Sequence, residues 1–126
     1  MEKYILDMSF IAEGNITKYA VVVAGSQEGK VTLPAGANAS KIIGIAQNDA
    51  ADGEPVRVRL LGISKAIAAG AISMGDLVQI ADSAGKVQTA SPAAGTNAFI
   101  VGVAMDAAGS AGEYVHINIM PSVYQG

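Results

Sequence analysis

At 126 residues the chain makes one domain of ordinary size, and with 51% apolar residues but only 5% aromatic ones it must build its interior from thin layers of Val, Ile and Ala, helped by an oligomer interface. A formal net charge of −3, with Arg57 and Arg59 as the only close basic pair, excludes a nucleic-acid binder that works by neutralising phosphates. The lack of cysteine excludes disulfides, thiolate metal sites and a cysteine nucleophile, while acidic residues around the Tyr4-Ile5-Leu6 patch do not fit a signal peptide and no apolar run reaches the about 20 residues of a membrane helix, so the sequence reads as a soluble protein with no membrane partner.

Residues 1–13 read as an N-terminal arm or as a first strand, with Tyr4, Ile5, Leu6, Met8 and Phe10 as its apolar side chains. Residues 14–126 read as a single β domain. Tyr19 to Ala24 and Lys30 to Leu33 are β-branched runs joined by the hairpin link Ser26-Gln27-Glu28-Gly29. Ile42 to Gln47 follows, then the loop Asn48 to Gly53, in which a short helical turn is possible. In Val56 to Leu61 the apolar Val56, Val58 and Leu60 alternate with Arg57 and Arg59, which predicts one buried and one wet face. Ile63 to Met74 is rich in Ala and Ile, but Gly70 interrupts it and Gly62 and Gly75 flank it; the expectation is extended chain up to Ala69 and then a turn. Asp76 to Ala81, Lys86 to Thr89, Phe99 to Met105 and Tyr114 to Met120 complete the strands, with Asp82 to Gly85 as a second hairpin link and Asp106 to Gly112 as a second Ala/Gly/Asp loop.

These elements occur twice, about 56 residues apart. Gly29-Lys30-Val31 returns as Gly85-Lys86-Val87, and Val21-Val22 as Leu77-Val78. After a small slippage in the loops, Ile43-Gly44-Ile45-Ala46 returns as Val101-Gly102-Val103-Ala104, and Gly53-Glu54 as Gly112-Glu113. The two repeats run over about 14–60 and 70–119, and Phe10 to Gly14 also matches Ala66 to Gly70. The fold expected is all-β: a small pseudo-symmetric β-barrel or β-sandwich of two similar units, with at most one short helix.

The repeats also test each candidate for chemistry against its counterpart. His116 is the sole histidine; it stands on the polar side of an alternating strand, where the first copy has Arg57, and reads as a surface residue. Asp49, Asp52 and Glu54 lack the alternating spacing of a calcium loop and read as turn residues, with Glu54 and Glu113 recurring for a turn hydrogen bond or a salt bridge to a neighbouring subunit. The two Gly-Lys pairs lack the upstream glycine and the following Ser or Thr of a phosphate loop. Ser64 and Lys65 point to opposite faces of a strand. The reading is therefore of a protein that is not an enzyme, with no catalytic, cofactor-binding or metal residue and no cofactor.

The ordered series Ile43-Gly44-Ile45-Ala46, Gly53-Glu54-Pro55-Val56-Arg57-Val58, Gly62-Ile63, Ala68-Ala69-Gly70-Ala71-Ile72, Gly75-Asp76-Leu77-Val78 and Gly85-Lys86-Val87 resembles the capsid decoration, or cement, proteins of tailed bacteriophages. That resemblance implies a virion structural protein, made in the host cytoplasm, that sits on the exterior of the expanded head as a homo-oligomer, a trimer being favoured. Its partner would be the major capsid protein, whose neighbouring copies it would bridge. The resemblance further implies an extended N-terminal arm that adds a strand to the partner, for which Tyr4, Ile5, Leu6, Met8 and Phe10 are the candidate contacts; the other reading makes them the protein's own first strand. From a different functional class comes the alternative of a β-barrel binding module on a virion, for carbohydrate or a host surface.

Overall fold

The β-branched runs form nine strands, and no helix interrupts them among the residues described, 2–126, in a computed structural model. They are β1 (Lys3–Glu13), β2 (Val21–Ala24), β3 (Lys30–Thr32), β4 (Ile42–Ala46), β5 (Pro55–Ile67), β6 (Leu77–Ile80), β7 (Val87–Thr89), β8 (Asn97–Ala104) and β9 (Tyr114–Gln125). The two Ala/Gly/Asp loops contain no helical turn. Each is held instead by an isolated antiparallel bridge, Ile16 to Ala50 in the first unit and Ile72 to Ala108 in the second.

All strands join one sheet in the order β1-β3-β2-β4-β5-β9-β8-β6-β7, and β1 also pairs with β5. That extra pairing closes the first five strands into a barrel, which decides between barrel and sandwich. Closure on the far side is parallel, with Ala12 opposite Val31. The second unit repeats the device: Ala68, just past β5, makes a parallel bridge to Val87 of β7, and the Ala69 amide donates to the Val87 carbonyl at 2.8 Å. Ile63 to Ile67 is thus not a separate strand but the continuation of β5, which serves both units, pairing with β1 and β4 in its first half and with β9 in its second.

The interiors correspond position by position. Ala12, Ile16, Val22, Val31, Ala46, Ala50, Val56 and Val58 fill the first barrel. Ala68, Ile72, Val78, Val87, Ala104, Ala108, Val115 and Ile117 fill the second. Small and β-branched side chains suffice because each ring is narrow. The outer face of the first barrel contributes Val21, Val23 and Ile45 to the core of the second, so β2 is buried on both faces and reads as an unbroken apolar run. Hydrogen bonds bind the units along this contact. The Val21 amide donates to the Gly85 carbonyl at 2.9 Å, the Asn38 amide to the Ile80 carbonyl at 2.9 Å and the Phe99 amide to Asn38 Oδ1 at 2.9 Å.

Candidate functional site

Alternation along β1 would put half of its side chains in the core, yet only its last turns obey. Ala12 is fully buried and Phe10 packs partly buried against the first interior. The other four apolar candidates are open: Tyr4 is 67% exposed, Ile5 69%, Leu6 41% and Met8 48%, and Leu61, opposite Leu6 on β5, adds 46%. β5 holds Lys3 to Ile11 along one edge, whereas β3 covers the other edge only at Ile11 to Glu13. Among the described residues, Lys3 to Phe10 is therefore paired on one side and free on the other, with register shifts on both sides of Leu6. An apolar strand with an open edge is a template for pairing with another chain.

Behind this strip lies a charged cluster. Asp7 Oδ1 accepts from Arg59 Nε at 3.0 Å, Asp7 Oδ2 faces Arg57 Nε at 3.3 Å, and Arg59 Nη1 donates to the Ile63 carbonyl at 3.0 Å. With Tyr4, whose ring centre lies 6.0 Å from the Arg59 guanidinium, these residues line an open cavity of about 460 Å³. Arg59 is only 7% exposed, so the wet face expected from the Arg57/Arg59 alternation holds for Arg57 alone. The first strand covers Arg59, and Asp7 compensates its charge.

The remaining charged candidates serve the backbone. Asp49 Oδ1 accepts from the Lys18 amide at 2.7 Å and Asp52 Oδ1 from the Gly14 amide at 2.8 Å. Glu54 and Glu113 make the turn hydrogen bond, from the Ala51 amide at 2.8 Å and the Gly109 amide at 3.0 Å. Among the described residues no group of three or more acidic or imidazole side chains could hold a metal ion. His116 is half-buried rather than a plain surface residue, and its Nδ1 lies 2.7 Å from Asp106 Oδ2. Asp106 also accepts the His116 amide at 2.8 Å, as Asn48 accepts that of Arg57 in the first unit.

These contacts set an acid limit. Burial pushes the Asp106 carboxyl up, but the His116 amide, ring hydrogen bond and ring charge together outweigh it and hold the group below its ordinary value. The Ser26 hydroxyl and amide lower Glu13, and the Gly109 amide and Ser110 hydroxyl lower Glu113. A carboxyl depressed in the folded state contributes stability that is complete above its unfolded pKa and lost as pH falls through the folded one. The melting temperature is expected to fall below about pH 4, and Asp106→Asn to flatten that fall; a melting temperature that holds or rises from about pH 5 to about pH 3 would contradict it.

A sequence model of the phage cement protein family matches residues 2–119. The chain belongs to that family. The cement family is a structural class, so the protein is a component of the phage particle associated with its capsid, and the family is not a class of enzymes. The fold agrees with a solved structure, the N base of head fiber gp8.5 in bacteriophage phi29, at a TM-score of 0.67 and 19% identity over 96% of this chain and 98% of that one. No curated protein matches the sequence.

One feature of this cement protein escaped sequence reasoning although the repeats carry its signal. Tyr19 has a backbone φ of +71°, and its counterpart in the second unit is Gly75 at +91°. The turn is otherwise the same: the Tyr19 amide donates to the Ala46 carbonyl at 2.8 Å, as Gly75 does to Ala104 at 2.8 Å. The left-handed region costs a side-chain-bearing residue about 1–2 kcal/mol. Tyr19 meets Tyr114 edge-on, ring centres 5.4 Å apart, a contact that returns about 0.5–1.5 kcal/mol. That contact offsets much of the backbone cost, and the second unit builds the same turn with glycine.

Proposed function

We propose that this cement protein decorates the outer surface of the expanded phage head as a homo-oligomer, a trimer being favoured, and stabilises the shell by bridging neighbouring major capsid proteins through β1. The observation that carries this reading is the open edge of Lys3 to Phe10 with its exposed Tyr4, Ile5, Leu6 and Met8, found in a member of the cement family. The fold shared with the base of a head fiber supports a seat on the head. Chemically, the free edge supplies main-chain hydrogen bonds, and each apolar side chain fully buried by the partner adds about 1.5–3 kcal/mol. Repetition over a lattice multiplies modest contacts through avidity. Met8 and Leu6 would anchor the pairing, whereas Phe10 supports β1 from within the barrel.

The test is co-sedimentation with expanded shells that lack the protein. Wild type is expected to saturate them at a fixed stoichiometry. Ile5→Glu and Leu6→Glu, at exposed positions, are expected to weaken binding at least about tenfold with the melting temperature unchanged. Undiminished binding by both variants would remove β1 as the contact, and absence of wild-type binding would remove the decoration reading itself.

A further inference from the structure

The strained turn at Tyr19 belongs to a cluster that spans both units. Lys65 Nζ lies 5.5 Å from the Tyr114 ring centre and 5.7 Å from that of Tyr19, and Lys18 Nζ lies 5.0 Å from the Tyr19 ring centre. Lys65 and Tyr114 stand on the outer faces of β5 and β9, where His116 opposes Lys65 and Ile67 opposes Tyr114. The corresponding positions of the other unit hold Met74, Gly75, Ser9 and Pro55, so the same barrel is built without any of the four. What the fold does not need, and in Tyr19 keeps against its backbone preference, calls for a partner.

The chemistry of the cluster selects that partner. Two ammonium groups offer donors and no acceptor, and among the described residues neither makes a salt bridge. Asp49 beside Lys18 is turned to the Lys18 amide. Ammonium groups beside the rings occupy the ground on which a sugar would stack. Two lysines on a chain of net charge −3 are too few to hold a nucleic acid. Carboxylate side chains of a docked peptide satisfy the ammoniums and lay their stems against the tyrosines.

We infer that Lys18, Tyr19, Lys65 and Tyr114 form a second contact surface, separate from the β1 strip, that receives an acidic segment of the shell protein. This rests on the decoration reading. Tyrosine is among the side chains that dominate such contacts, and the edge contact with Tyr114 holds the Tyr19 ring before the partner arrives.

Tyr19→Gly separates folding from binding, because it gives the turn the residue its counterpart already has. With expanded shells lacking the protein as the probe, Tyr19→Gly and Lys65→Gln are each expected to weaken binding at least about tenfold, while the melting temperature of each stays within about 4 °C of wild type or rises. Lys65→Gln is also expected to reduce the loss of affinity between low and physiological salt. Wild-type affinity in both variants, with wild type itself bound, overturns the second surface and leaves decoration standing. A melting temperature lowered well beyond that range in Tyr19→Gly assigns the tyrosine to the fold and overturns it equally. Failure of wild type to bind removes the decoration reading and this inference with it.

Discussion

Gly102→Val is expected to yield no stably folded protein, and Gly44→Val the same. Both glycines sit at a register shift, Gly102 in the pairing of β8 with β6 and β9 and Gly44 in that of β4 with β2, and each lies against a longer strand, β9 or β5. A Cβ at Gly102 would run into the Asn118 carbonyl oxygen and the Ile117 side chain, and one at Gly44 into the Arg59 carbonyl oxygen and the Val58 side chain. The obstacle is backbone of the neighbouring strand, which no rotamer change can clear, and both strands are tied into their rings by hydrogen bonds. Relief requires prying β4 from β5, or β8 from β9. A loss above about 4 kcal/mol is exceptional for a single substitution and comparable with the whole stability of a small domain. Solubility, circular dichroism and urea unfolding read the result. A Gly102→Val protein with a wild-type midpoint would show that the strands do not approach so closely.

Asp7→Ala is expected to be the most damaging change on the candidate surface, costing about 3–5 kcal/mol, because it leaves the guanidinium of Arg59 buried and uncompensated. The two partners are far from equivalent. The Arg59 side chain is 9% exposed and the Arg57 side chain 62%, so Arg57→Ala is expected to cost less than about 1 kcal/mol. Asp7→Leu combined with Arg59→Met removes both buried charges at similar volume and is expected to recover most of the loss. Urea midpoints for the single and double variants decide it. Equal, small losses for Asp7→Ala and Arg57→Ala would show that water reaches Arg59.

Asp7 and Arg59 also show where the sequence stops being readable. Strand alternation placed Arg57 and Arg59 on one face, which they share, but the burial of Arg59 depends on β1 crossing above it, a contact between positions 7 and 59 that no local pattern encodes. The repeat was legible because the same glycines and turn acids recur, and those residues do in both units what turn chemistry demands, as Glu54 and Glu113 illustrate. The continuity of β5 was hidden by Gly62. Glycine usually punctuates a strand, but here, with φ at +112°, it stays paired with Tyr4 where β1 approaches closely, and β5 runs on to pair with β9 from Ile63. On the candidate surface, the apolar character of Tyr4, Ile5, Leu6 and Met8 was plain in the sequence, whereas the inward turn of Phe10 followed only from ring closure. Tyr19 could have been found by setting it against Gly75; its strain became visible only with a backbone angle.

The measurement that bears most directly on capsid decoration is an image reconstruction of expanded shells saturated with the purified protein. Expected is density for both barrels on the outer surface, repeated at one type of lattice position, with Lys3 to Phe10 continuing a strand arrangement of the shell protein across two neighbouring copies. Bare shells, or density confined to a tail or to the shell interior, would contradict it.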